Sequence, residues 1–132
     1  MYAKQINYED YDGNSRSDIF YFNLTKTELT EMDMLTPGGL KNQIEKAVED
    51  KDASTIVKIF KKLILGSYGV KSQDGRRFIK SAELSEEFSQ TEAYNVLFME
   101  LASDDNAISD FIKHVVPKDI AAEIEKQELT RG

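Results

Sequence analysis

The chain has 132 residues, of which 40% are hydrophobic, and its formal net charge is −7. An acidic surface of this kind repels phosphate backbones and anionic lipids, which argues against nucleic acid and membranes as partners. Cysteine is absent, which excludes disulfides and thiolate metal sites, and no apolar stretch approaches the roughly 20 residues that cross a bilayer.

The first 24 residues predict a β-hairpin. Two segments of strand character, residues 2–11 and 17–24, flank the turn signal Asp12-Gly13-Asn14. A two-residue loop would put Ile6 and Phe22 on opposite faces of the hairpin, whereas a loop of three or five residues puts them on the same face. Because register follows burial, the longer loop is favoured. A lone hairpin is barely stable in water, so we expect its aromatic side chains to pack on helices.

Helix start signals follow the hairpin. Thr25 and Glu28 have the spacing of a capping box, so the first helix begins there and runs to about Met34. Thr36-Pro37 predicts a second start, with proline at the first helical position. Gly66 and Gly69 predict the end of the third helix. The remaining predicted starts are Asp52 or Ser54, Ser81 or Ser85, Thr91 and Ser103-Asp104-Asp105, and a last helix with Ile120 and Ile124 follows Val116-Pro117.

These elements predict an α+β fold, in which a mostly helical single domain spans residues 1–132. The hairpin of residues 1–24 packs on about five or six helices within residues 25–127, and residues 128–132 form a frayed tail. Residues 68–80 interrupt the helical pattern and predict either an ordered loop or a small second hairpin. Because no basic segment followed by an apolar run opens the sequence, we expect a cytoplasmic protein.

The sequence offers no catalytic, cofactor or metal site. His114 is the single histidine and has no thiol or serine motif to activate. Neighbouring acids such as Asp104 and Asp105 point in different directions on a helix and suit a solvated helix start. A calcium loop with Gly75 at its sixth position would begin at Val70 and end at Ser81, where that motif needs carboxylates. We therefore expect a protein that is not an enzyme.

Two surfaces could bind a partner. Lys71, Arg76, Arg77 and Lys80 form the densest basic cluster, which predicts either nucleic-acid binding or a plain exposed turn whose Phe78 and Ile79 enter the core. The segment from Thr91 to Leu101 carries more apolar residues than one buried stripe needs, so part of it could form a binding face. The candidate partner-binding residues on this helix are Tyr94, Leu97, Phe98, Met99 and Leu101.

Three stretches together resemble a known family: Phe20-Tyr-Phe-Asn-Leu-Thr-Lys-Thr-Glu-Leu29, Gly75-Arg-Arg-Phe-Ile-Lys80, and Thr91-Glu-Ala-Tyr followed by Leu97-Phe-Met-Glu-Leu101. They look like the tail assembly chaperones of long-tailed phages and prophages of Gram-positive bacteria. The resemblance runs from the first hairpin to Val116-Pro117. Its motifs belong to the fold, so no catalytic residue carries over.

The resemblance implies a function. Proteins of this family hold the long, partly apolar tape-measure protein soluble and help tail-tube subunits assemble around it in the host bacterial cytoplasm. We therefore expect a non-enzymatic chaperone that buries an apolar helix of the tape-measure protein and also contacts the tail tube protein. A homo-oligomer stays open, and so does the alternative of a small nucleic-acid-binding or adaptor regulator of phage or prophage origin.

Overall fold

The computed structural model describes residues 1–122, apart from the side chains of Val48 and Asp105. In chain order its elements are β1 (Tyr2–Glu9), β2 (Ser15–Phe22), α1 (Lys26–Leu35), α2 (Leu40–Glu49), α3 (Ala53–Ser67), β3 (Tyr68–Lys71), β4 (Phe78–Ile79), α4 (Ala82–Ser89), α5 (Glu92–Ala102) and α6 (Asp105–Val115). Residues 118–122 are again helical. The predicted α+β fold, mostly helical with an N-terminal hairpin, is confirmed. The predicted frayed tail and Ile124 lie outside the described residues.

The register of the first hairpin follows burial. Tyr2 pairs with Phe22 and Glu9 with Ser15, which leaves five residues in the connection, 10–14. Ile6 therefore lies on the same face of the sheet as Phe22, and the longer loop is confirmed. The Asp10 N–H donates to the carbonyl oxygen of Asn14 at 2.9 Å and closes the loop.

The segment at residues 68–80 is a second hairpin that extends the first. Strand β3 pairs antiparallel with β2, with Phe22 opposite Tyr68, and β4 pairs with β3. The result is one four-stranded sheet in the order β1-β2-β3-β4. The small hairpin was one of the two predicted alternatives, but its pairing with β2 was not predicted.

Five of the predicted helix starts are N-caps in the structure. The capping box is complete, because Thr25 Oγ1 accepts from the Glu28 N–H and Glu28 Oε1 accepts from the Thr25 N–H. Each of these caps satisfies a backbone donor that the first helical turn leaves unpaired. The other four capping side chains are Asp52, Ser81, Thr91 and Asp104.

One predicted helix start is wrong, whereas the third helix ends between Gly66 and Gly69 as predicted. Helix α2 begins at Leu40 rather than at Pro37, because Gly38 and Gly39 adopt φ values of 77° and 91°, outside the helical region. Helix α3 continues through Gly66 to Ser67, and β3 begins at the next residue. Position 69 needs a glycine for a different reason. Strand β4 passes so close to it that a Cβ there would lie 2.7 Å from the Ile79 carbonyl oxygen.

One face of the sheet packs on the helices and forms the core. Phe22 is fully buried, and its ring centroid lies 5.9 Å from that of Tyr68, 5.8 Å from Phe88 and 5.4 Å from Phe111. These rings come from β2, β3, α4 and α6, so one aromatic cluster joins strands to helices. The other buried members are Ile6, Leu24, Ile59, Leu63, Ile64, Ala93, Tyr94, Leu97, Leu101 and Val115.

Candidate partner-binding surface

Helix α5 divides its apolar residues between the core and the surface. Tyr94, Leu97 and Leu101 belong to the core, with exposed fractions of 8%, 0% and 4%. Phe98 is half-buried, and Met99 is 64% exposed. In this conformation a partner can therefore reach Met99 and one side of Phe98, while the three core residues support the helix from beneath.

The accessible part of α5 continues onto α3. The rings of Phe98 and Phe60 meet edge to face, with their centroids 6.5 Å apart. Val57 precedes Phe60 by one helical turn and is 48% exposed. Val57, Phe60, Phe98 and Met99 are referred to below as the α3–α5 ridge. The ridge combines exposed and half-buried apolar side chains from two helices.

A second exposed apolar pair lies at the end of α1. Met34 is 79% exposed and Leu35 is 81% exposed, the highest values among the large hydrophobic residues of the described chain. Sequence reasoning missed this pair. The signal that could have found it is the position of the two residues at the end of α1, where only the preceding Met32 packs against the core.

The flank of α5 nearest β1 is polar. The Tyr11 hydroxyl donates to Glu92 Oε1 at 3.1 Å, and Lys4 Nζ lies 3.0 Å from Glu100 Oε1. Burial is the largest single influence on the pKa of Lys4 and lowers it, but the hydrogen bonds and charges of Glu100 and Tyr2 together outweigh burial, so the pKa is raised. Beside Lys4 a cavity of about 240 Å³ opens between β1, α5 and α6. Its lining includes Tyr2, Lys4, Glu100, Asp104, Asp110 and Phe111.

Lys80, one of the four residues of the basic cluster, is occupied within the fold. Its ammonium lies 2.6 Å from Glu28 Oε2 and also donates to the carbonyl oxygen of Asn23. Burial alone would raise the pKa of Glu28, but hydrogen bonds from Lys80 and from the Thr25 N–H prevail, so that the pKa is lowered. This ion pair ties the end of the second hairpin to the first turn of α1.

The rest of the basic cluster surrounds an exposed turn. Lys71 lies 4.4 Å from the centroid of the Tyr21 ring, a cation–π contact across the sheet. Arg76 and Arg77 are exposed, whereas Phe78 and Ile79 are half-buried. The structure therefore leaves three exposed cations here, and the fourth, Lys80, neutralises a carboxylate of its own chain.

The remaining polar candidates have local structural partners. His114 Nδ1 lies 2.7 Å from the Asp110 carbonyl oxygen, one turn back on the same helix. The Asp74 carboxylate accepts from the Ser72 hydroxyl and the Arg76 N–H and closes its own turn. Within residues 1–122 no three acidic or histidine side chains are arranged to hold a metal ion, and none of the helices there has the length and apolarity for crossing a bilayer.

A family model described as phage tail assembly chaperone matches residues 1–131, which is nearly the whole chain. No curated protein and no solved structure matches the chain.

Proposed function

Since the chain belongs to the phage tail assembly chaperone family, we propose that it binds the tape-measure protein and assists assembly of the tail tube around it. It does so without catalysis, in the cytoplasm of the host bacterium, and the tail tube protein is its second partner. The partner's identity is a proposal; the role in tail assembly is that of the family.

The observation that carries the proposal is the α3–α5 ridge. Met99 and Val57 are 64% and 48% exposed, and the rings of Phe98 and Phe60, on the same two helices, meet edge to face. An amphipathic helix of a client can lay its apolar face along such a surface. Methionine suits this role because its flexible thioether adapts to clients of different shape.

The size of the ridge sets the scale of the interaction. Apolar patches of this kind cover a few hundred Å², and burial is worth about 25 cal/mol per Å², so the gross gain is several kcal/mol. Loss of motional freedom and side-chain ordering consume much of it. A single chaperone therefore binds one client helix weakly, and many copies along a long client are needed to keep it dispersed. The net charge of −7 repels neighbouring complexes from one another.

Co-expression with the tape-measure protein tests the proposal. The wild-type chain should raise the soluble yield of that protein and co-purify with it. Met99→Glu should abolish both effects, because it places a charge in the middle of the buried contact. Met34→Glu is the matched control, since it makes the same change at another exposed methionine.

The control should behave as the wild type does. No gain in soluble yield with the wild-type chain would refute the proposed client. Equal loss with both glutamate variants would refute the assignment of the ridge as the contact surface.

A further inference from the structure

Strand β1 has an open edge. It lies at the end of the strand order β1-β2-β3-β4, so its outer side pairs with no strand among residues 1–122. The Asp10 N–H donates towards β2, to Asn14. Since backbone groups alternate between the two sides of an antiparallel strand, the even-numbered residues of β1 bond to β2. The odd-numbered residues, Ala3, Gln5 and Asn7, direct their N–H and C=O groups outward.

Strand β1 packs against α5, but it lacks three other features that block strand addition: short length, a proline and a bulge. Strand β1 has eight residues and contains no proline, and its pairing with β2 is continuous without a bulge. An inward-pointing lysine often protects an edge by making its burial costly. Here that lysine, Lys4, is neutralised by Glu100 of α5 at 3.0 Å. The edge is therefore open to pairing with an extended segment.

Helix α5 lies beneath the space that an added strand would occupy next to β1. Glu92, Val96 and Glu100 are four residues apart and lie in one row along the helix. The contact of Lys4 with Glu100 places one end of this row beside the first half of β1, and the contact of Tyr11 with Glu92 places the other end beside the loop that follows β1. Val96, in the middle, is 37% exposed. A strand added to β1 would rest one face of its side chains on Val96.

The charge around this space indicates what kind of segment fits. Glu92 and Glu100 flank Val96, and Asp104 and Asp110 line the cavity at the Tyr2 end of β1. The only cation in the lining of that cavity is Lys4. A second copy of this chain would bring the same set of carboxylates against itself and be repelled. A segment that carries lysine or arginine complements them.

We propose that the open edge of β1 binds an extended, basic segment of a partner polypeptide as an added strand. Backbone hydrogen bonds from Ala3, Gln5 and Asn7 supply affinity that tolerates changes of sequence. An apolar residue of the segment covers Val96, and a lysine or arginine faces Asp104 and Asp110 in the cavity at the Tyr2 end of β1.

The proposed strand site lies on a different flank of α5 from the aromatic part of the α3–α5 ridge. Val96 and Phe98 are two positions apart on α5, so they project about 200° from each other around the helix axis. Met99 follows Val96 by three positions and lies beside it, so the two surfaces meet at Met99. The edge site goes beyond the proposed function and does not depend on it.

A proline substitution tests the edge with little change to the rest of the sheet. Gln5→Pro removes one outward N–H and leaves the ladder to β2 intact, because Gln5 does not bond to β2 through its backbone. Gln5→Ala is the matched control. It removes the side-chain bond to Ser17, 2.7 Å long, but keeps the N–H. The probe is a synthetic peptide of about nine residues, alternating valine and threonine with lysines at one end.

Isothermal titration should give affinities for the wild type and Gln5→Ala within about twofold, and a loss of about tenfold for Gln5→Pro. The same peptide with glutamate in place of lysine should not bind. Amide hydrogen exchange of the wild type, which needs no variant, should slow at Ala3, Gln5 and Asn7 when the lysine peptide is added.

Three results would overturn the proposal. The first is equal affinity of Gln5→Pro and Gln5→Ala for the lysine peptide. The second is unchanged exchange at the three amides in the presence of saturating peptide. The third is concentration-dependent self-association of the free chain that protects the same amides, which would make a second copy the occupant.

Discussion

Gly69 provides the sharpest test of how the two hairpins join. Strand β4 passes so close to β3 that a Cβ on Gly69 would lie 2.7 Å from the Ile79 carbonyl oxygen and 2.7 Å from Phe78 Cε2. The Phe78 ring could rotate away, but the carbonyl belongs to the backbone, so β4 itself must shift. We expect Gly69→Ala to lower the free energy of unfolding by about 1–3 kcal/mol, the usual cost of overpacking a close contact.

Gly66 is the matched control for this prediction. It lies inside α3, and an added Cβ there has no atom within 4 Å. Gly66→Ala should raise the free energy of unfolding by about 0.5–1 kcal/mol, because alanine loses less backbone entropy in a helix than glycine does. Urea unfolding followed by circular dichroism at 222 nm measures both variants. A Gly69→Ala variant as stable as the wild type, or two variants that change stability in the same direction, would refute the reasoning.

Three further predictions use the same unfolding assay. Glu28→Gln should make the free energy of unfolding fall less steeply as the pH is lowered. The pKa of Glu28 is lowered in the folded chain, so its stabilising contribution is complete above the ordinary carboxyl pKa of about 4.3 and is lost as the pH falls through the lower folded value. A variant whose stability falls with acidification as steeply as that of the wild type would contradict this. Thr25→Ala should lower the free energy of unfolding by about 1 kcal/mol through loss of the capping box. Thr27→Ala, in the same helix but with no part in the cap, should change it by less than about 0.5 kcal/mol. Equal costs would count against the cap. Phe22→Ala should cost about 3–5 kcal/mol by opening a cavity in the aromatic cluster, and a loss below that of the exposed Ile19→Ala would show that Phe22 is not at its centre.

The fold was predictable where signals are local. The capping box at Thr25 and Glu28 depends on residues three apart, and the structure contains it. The face shared by Ile6 and Phe22 followed from burial and loop parity alone. The start of α2 was not predictable in the same way. Proline favours a first helical position, but the two glycines after Pro37 take left-handed backbone angles that no local rule assigned.

The candidate site was only partly predictable. The sequence indicated surplus apolar residues on α5, and the structure leaves Met99 exposed while it buries Leu97 completely. Which residues of a stripe reach the surface depends on the neighbouring helix, here α3 with Phe60. Whether Tyr94, Leu97 and Leu101 also contact a partner stays a prediction, and in this conformation they would have to leave the core to do so.

The sequence by itself determined the first hairpin and its register, five helix caps, the acidic surface and the resemblance to the family, because each depends on composition or on residues close together in the chain. The tertiary structure decided the rest. It joined β3 to β2, paired Lys80 with Glu28, and placed the row of Glu92, Val96 and Glu100 along the open edge of β1. These contacts join residues far apart in the chain, and their formation depends on how whole elements pack, which no local pattern specifies.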